Sequence, residues 1–278
     1  MIVVTGATGN VGRPLVELLA AAGEDVTAVS RRPAEGLPVG VAHRQGDLAD
    51  VDGLKGLFEG AEAVYLLVAG LGDELRPREI VAAAVACGVR RIVFQSSQLV
   101  GTRTDSVSHE ILRAFEAAVR ESGVEWTVLR PGGFASNAFL WAEPVRAART
   151  VAAPFADVAL PVVDPADIAE VAAAALRDPV HAGRTYVLTG PVAVSPRDQV
   201  RALAEALDAP VGFVAQSAAD ARAQLVRFLP EEAVDGMLSV MGSPRADEQV
   251  VSPDVERVLG RAPRPFSVWA GRNVRAFV

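Results

Sequence analysis

Val3-Val4-Thr5-Gly6-Ala7-Thr8-Gly9-Asn10-Val11-Gly12, followed at once by an amphipathic run to Ala22, decides the fold of this chain. An apolar strand gives way to the spacing Gly6-x-x-Gly9-x-x-Gly12 and then to a helix over Gly12–Ala22. Glycine permits a tight turn and close backbone approach, while the amide N–H groups at the start of a helix attract a pyrophosphate. A glycine triplet alone is weak evidence, and its position between strand and helix gives it weight. Gly6, Thr8, Gly9, Asn10, Val11 and Gly12 are therefore expected to hold a dinucleotide.

Working outward, strand-like runs at Ile2–Val4, Val26–Val29, Ala63–Val68, Arg91–Phe94, Trp126–Leu129 and Tyr186–Leu188 alternate with amphipathic helices at Arg76–Cys87, Ser108–Ser122 and Pro165–Arg177. A further strand-like stretch precedes Gly46. That rhythm predicts an α/β fold, a doubly wound parallel Rossmann sheet. After Pro191 the pattern turns helical, at Ser195–Leu207, Ala218–Phe228 and Glu231–Met241, with a tail at Val255–Val278. Residues 1–132 and 155–190 are expected to form the NADP-binding domain. Residues 133–154 and 191–278 are expected to form a small, mainly helical substrate-binding lobe integrated with it.

Composition narrows the function. With 278 residues, 50% of them hydrophobic, the chain can bury a large core. A net charge of −7 without a basic run argues against nucleic acid or an anionic membrane as partner, leaving a small molecule. The one cysteine, Cys87, excludes an internal disulfide and a multi-cysteine metal site, and reads as a small buried filler on a helix. No apolar run reaches the ~18 residues that span a bilayer, and the first strand leaves no room for a leader, so a cytoplasmic location is expected. His43 and His181 lie outside any metal-ligand spacing and are expected at the surface. No metal is expected.

Cofactor selectivity is read at the end of the second strand, where Ser30-Arg31-Arg32 stands in place of the acidic residue that would hold a free ribose 2′-hydroxyl. Guanidinium groups suit a 2′-phosphate through forked, charged hydrogen bonds, so Arg31 and Arg32 predict NADPH over NADH. Asp47 and Leu48 follow the next strand-like stretch and are placed beside the adenine, although an Asp after a strand often serves only as a cap.

The chain resembles the atypical short-chain dehydrogenase/reductases, and within them the NmrA-like NAD(P)-binding branch. The likeness is carried by the glycine turn, Asp47-Leu48, Phe94-Gln95-Ser96-Ser97, Trp126 to Phe134, Pro161 to Ala169, Leu188 to Pro191 and Asp254 to Arg261. The resemblance implies that Val68, Ala69 and Gly70 line the cofactor, and that Pro131, Gly132, Gly133 and Phe134 face the nicotinamide carboxamide. It also exposes a departure. The chain has one lysine, Lys55, and two tyrosines, Tyr65 and Tyr186, and neither tyrosine has a lysine four residues later. The family's Tyr-x-x-x-Lys proton donor is absent: counting along the helix puts Ser108 at the tyrosine position and Leu112 at the lysine position, two places on one helical face.

A carbonyl reductase needs a hydride on carbon and a proton, or hydrogen bonds, at the developing alkoxide. Candidates for the second task are Ser97, Ser96, Ser108 and His109, the last rotated about 100° around the helix from the lost tyrosine. Ser108 could equally be the helix cap, and His109 could be exposed. A missing general acid typically costs ~10² to 10⁴ in rate, while positioning donor and acceptor can supply about 7–11 kcal/mol, so reduction survives the loss. Substrate or water could then supply the proton. Such a site favours a polycyclic aromatic or quinone-like ketone, and the narrower resemblance is to ketoreductases without the catalytic tetrad that act on angucyclinone polyketides in antibiotic biosynthesis. Phe134, Phe139, Trp141, Phe155, Met237 and Met241 suit a flat hydrophobic substrate or ordinary core packing. The alternative implied by the NmrA-like branch is a regulatory protein that senses NADP without chemistry; an epimerase that keeps its cofactor bound is a weaker third.

Overall fold

A computed structural model describes residues 1–68 and 74–278, so the expected cofactor residues Ala69 and Gly70 lie outside the described residues. Seven parallel strands form one sheet: β1 (Ile2–Thr5), β2 (Val26–Ser30), β3 (Ala42–Gln45), β4 (Ala63–Leu67), β5 (Arg91–Gln95), β6 (Glu125–Pro131) and, after β7 (Thr150–Ala153), β8 (Arg184–Leu188). Their order is β3-β2-β1-β4-β5-β6-β8, with all pairings parallel. The expected α/β doubly wound sheet is thus observed. β1 and β2 are buried along their whole length, as continuous apolar runs in a sheet covered on both faces should be.

The order reverses between β1 and β4, where chains leave to opposite sides and open a crevice at the carboxyl ends of the strands. Helices α1 (Gly12–Ala21), α2 (Leu54–Phe58), α3 (Pro77–Ala86), α4 (Leu99–Thr102) and α5 (Glu110–Arg120) link the first six strands. The helix expected over Ser108–Ser122 is shorter. A 3-10 turn, Val107–His109, precedes it, so Ser108 stands outside the α-helix and His109, not Ser108, is the N-cap. The core beneath α2, α3 and α5 gathers Phe58, Ile80, Phe94 and Phe115, with Phe94 stacked on Phe115 at 5.4 Å between ring centres. Cys87 is half-buried at the C-cap of α3 rather than a buried filler within the helix.

The chain divides into two compact units. The first holds Met1–Pro131, Pro165–Leu188 and Asp254–Arg261; the second holds Gly132–Asp164, Thr189–Pro253 and Ala262–Val278. Residues 132, 155–164, 189–190 and 254–261 therefore fall on the opposite side of the expected division. The backbone N–H of Val187 donates to Asp254 at 2.8 Å, and Arg261 donates to buried Asp167 at 2.8 Å, which ties the 254–261 segment to the sheet unit. The second unit carries α6 (Ala142–Ala148), α8 (Pro196–Leu207), α9 (Ala218–Leu225), α10 (Glu231–Gly242) and α12 (Phe266–Asn273), while α7 (Pro165–Arg177) and α11 (Asp254–Leu259) belong to the first. It also has a two-stranded parallel sheet, β7 with β9 (Gly212–Ala215), which four-residue apolar runs did not announce. Among the described residues no helix is long and apolar enough to cross a membrane.

Candidate active site

The candidate residues of the first unit lie after the carboxyl ends of its strands, except Ser108 and His109, which stand in the 3-10 turn between α4 and α5. After β1 the chain enters Gly6 with φ +64°, a conformation that L side chains rarely adopt. A Cβ on Gly12 would stand 2.1 Å from the Gly6 carbonyl oxygen, and one on Gly6 would stand 2.5 Å from Leu67 Cδ2. The turn is held by hydrogen bonds from Gly9 N to Gly6 O and from Ala7 N to Val29 O, and no side chain caps α1. Thr8, Gly9 and Asn10 are exposed at the turn, whereas Val11 is buried beneath it. A cradle that only glycine can form, at a helix start that no side chain caps, fits the pyrophosphate of a dinucleotide.

At the end of β2, Arg31 and Arg32 are exposed and no acidic residue stands beside them in the chain. The backbone that follows β2 is fixed at Arg31, Arg32 and Glu35. Ser30 Oγ donates to Arg32 O at 2.6 Å, Gln45 Nε2 donates to Arg31 O at 3.1 Å, and Arg13 from α1 reaches Glu35 O at 3.0 Å. Since the Ser30 proton is spent on Arg32, His43 Nε2, 2.9 Å from Ser30 Oγ, must be the donor in that pair. His43 is therefore half-buried scaffolding, not surface. Asp47 is exposed and its Oδ1 accepts from Ala49 N at 3.1 Å, a local turn contact; Leu48 and Val68 are half-buried against the core.

The two serines after β5 part company. Ser96 is buried and donates to Glu116 Oε1 at 2.7 Å, where Glu116 also receives Arg130 (Nε on Oε1 at 2.9 Å, Nη2 on Oε2 at 2.7 Å) and Arg120 at 2.9 Å. Burial alone would raise the Glu116 pKa, but hydrogen bonds from Arg130, Ser96 and Arg120 hold it below the ordinary glutamate range. Ser96 is thereby committed to an internal network. Ser97 is half-buried; its Oγ accepts from Leu99 N at 3.2 Å, and its O–H has no acceptor among the described residues. It remains able to donate to a ligand.

In the turn before α5, Ser108 Oγ lies 2.9 Å from both Ser106 Oγ and His109 Nδ1. His109 is half-buried rather than exposed, and its pKa is lowered by burial first, then by the charges of Arg113 and Arg103. Both causes disfavour the imidazolium form that would carry an acidic proton. Neither tyrosine can replace the missing donor. Tyr65 is fully buried on β4 and donates to Gln95 Oε1, with burial pushing its pKa up. Tyr186 OH pairs with His181 Nδ1 at 2.9 Å, which makes His181 a half-buried partner rather than a surface residue.

Pro131 closes β6 in the first unit, its carbonyl accepting from Gln98 N at 2.9 Å. Gly132, Gly133 and Phe134 open the second unit, where Phe134 bridges to Val163. Phe139 packs on Trp269 at 4.9 Å and on Phe277 at 6.1 Å, and Trp141 joins the same core. Phe155, at φ +52°, packs with the α9–α10 cluster, leaving Phe134, Met237 and Met241 half-buried. Three of the six expected substrate-facing side chains are thus engaged in packing. Reading the sequence missed Ser106, Arg113 and the Glu116 network; His109-x-x-x-Arg113, one turn of helix apart, was the available signal.

Comparison with known proteins places the chain. A family model described as NAD(P)H-binding matches residues 6–179, and the chain belongs to that family. It is an oxidoreductase that uses NAD(P)H. It is 38% identical over its whole length, and over 99% of the relative, to a (4-alkanoyl-5-oxo-2,5-dihydrofuran-3-yl)methyl phosphate reductase of Streptomyces griseus. It is 30% identical, with the same coverage, to an NAD(P)H azoreductase of Xenophilus azovorans. Its fold is shared with an NADPH-dependent quinone oxidoreductase of Escherichia coli solved with NADPH, at TM-score 0.81, 24% identity and coverage of 98% of this chain and 99% of that one.

Proposed function

We propose that this protein is an NADPH-dependent reductase of a conjugated, carbonyl-bearing acceptor of the quinone or aromatic-ketone kind, working without a tyrosine acid. The observation that carries the proposal is the pairing of a glycine-only cradle with Ser97, whose O–H is unspent while both tyrosines are engaged elsewhere. Bound NADPH supplies the hydride. Arg31 and Arg32 would hold its 2′-phosphate, and Ser97 would donate to the acceptor oxygen as negative charge builds on it. Protonation of that oxygen falls to water or to the acceptor's own neighbouring hydroxyl. The relatives are named for reducing a furanone phosphate and azo compounds, and the structural neighbour for quinones. All are conjugated electrophiles, which supports an acceptor that stabilises much of its own charge.

The narrow form of the proposal is an angucyclinone-type polyketide. Loss of NADPH absorbance over a panel of neutral quinones, aromatic ketones and angucyclinones tests both forms. Turnover of simple quinones without angucyclinones rejects the narrow one. Tight NADP binding with no turnover on any acceptor would instead support the redox-sensing alternative.

A further inference from the structure

Arg113 reaches back from the first turn of α5 and donates from Nη2 to the Ser106 carbonyl at 2.6 Å. Its Nη1 is buried and has no hydrogen-bond partner among the described residues. Arg120 and Arg130, further along the same region, both end on Glu116, whereas no carboxylate pairs with Arg113 among the described residues. A charged N–H withdrawn from water without an acceptor is costly, so a ligand that brings an acceptor is favoured in proportion.

The groups beside it are donors as well. Ser106 Oγ, Ser108 Oγ and His109 Nδ1 form a chain with steps of 2.9 Å. If the chain donates toward the imidazole, Nδ1 accepts and Nε2 keeps the ring hydrogen; if it runs the other way, the Ser106 hydroxyl is left over. Either polarity leaves one hydrogen at one end for a further acceptor. Asp105 and Glu110, the nearest acids in the chain, are exposed. The turn follows β5 and α4, apart from the β1 and β2 ends assigned to the cofactor's phosphates.

We propose that Arg113, with Ser106, Ser108 and His109, seats a tetrahedral oxyanion, a phosphate monoester or sulfonate, carried by the acceptor. The assignment to the acceptor rests on the reductase reading above; the anion seat itself does not.

Two measurements separate them. With NADP⁺ saturating, inorganic phosphate is titrated while the three histidine Hε1 resonances are followed, His109 being assigned with a His109→Gln variant. A saturable shift at His109 that Arg113→Gln abolishes and Arg113→Lys weakens is expected; no saturable shift in the wild type overturns the seat. In the second, steady-state rates are compared for 1,4-naphthoquinone-2-sulfonate and neutral 2-methyl-1,4-naphthoquinone. Arg113→Gln should raise the KM of the sulfonate at least about tenfold more than that of the neutral quinone. An equal rise for the two quinones, or a rise confined to NADPH, overturns the acceptor assignment, the latter in favour of a cofactor phosphate. If neither quinone is reduced, the reductase reading fails for these acceptors, and the phosphate titration still decides the seat.

Discussion

Arg130 grips Glu116 with two nitrogens on two oxygens, at 2.9 and 2.7 Å, directly behind the serine pair that ends β5. Removing one partner of a buried pair typically costs about 3–5 kcal/mol; Arg130 and Arg120 keep some water contact, so Glu116→Gln should lose about 2 kcal/mol in urea unfolding at pH 7. The folded-state pKa of Glu116 lies below its unfolded value, so its contribution is full above the ordinary glutamate range and lost as pH falls through the lowered value. The deficit of the variant should therefore shrink as pH falls below the ordinary glutamate range. A deficit independent of pH would refute the charged pairing.

Gly12→Ala tests the cradle. Its Cβ would fall 2.1 Å from a backbone oxygen that cannot swing aside, so the turn must open. Fluorescence titration should show NADPH affinity reduced by about 10- to 30-fold, roughly the upper worth of the anion contacts at a helix start. Unchanged affinity would remove the turn from the cofactor site.

Arg31 and Arg32 project from a backbone pinned by Ser30, Gln45 and Arg13, which favours a preformed phosphate contact. Hydrogen bonds to charged groups contribute about 1.5–3 kcal/mol, so the double Ala variant should raise the KM for NADPH about 10- to 100-fold and leave NADH within a few-fold. Parallel changes for both nucleotides would mean that the arginines do not read the 2′-phosphate.

The adjacent serines should separate cleanly. Ser97→Ala is expected to lower kcat by about 10²-fold with little change in melting temperature, the loss typical of one oxyanion donor. Ser96→Ala should do the reverse, lowering stability by about 1 kcal/mol through the exposed deficit at Glu116. Full turnover in Ser97→Ala would remove Ser97 from the mechanism.

The sheet was readable from the sequence because its central strands, β1, β2, β4 and β5, are buried, and continuous apolar runs between glycine-closed helices leave few alternatives. The cradle was equally plain, since Gly6 and Gly12 mark positions where no Cβ fits. Less could be read where function depends on which neighbour a side chain meets in space. Ser96 and Ser97 are equivalent in sequence, yet only the first meets Glu116, twenty residues away. His43 and His181 look solvated in sequence and find Ser30 and Tyr186 in the fold. The start of α5 was misplaced because Ser108 has the capping chemistry, while its hydroxyl pairs instead with Ser106 and with the imidazole beside it.

Leu112, at the position of the lost lysine, packs against the apolar core of the sheet unit. An ammonium introduced there would enter hydrocarbon, and Ser108, the matching tyrosine position, sits in a 3-10 turn instead of on the helix that would align the two. Grafting Tyr-x-x-x-Lys back by Ser108→Tyr with Leu112→Lys should thus yield a weaker protein, by thermal melting, without a faster enzyme. The scaffold has closed over the ancestral proton route, and any improvement in rate has to come from a new donor placed elsewhere.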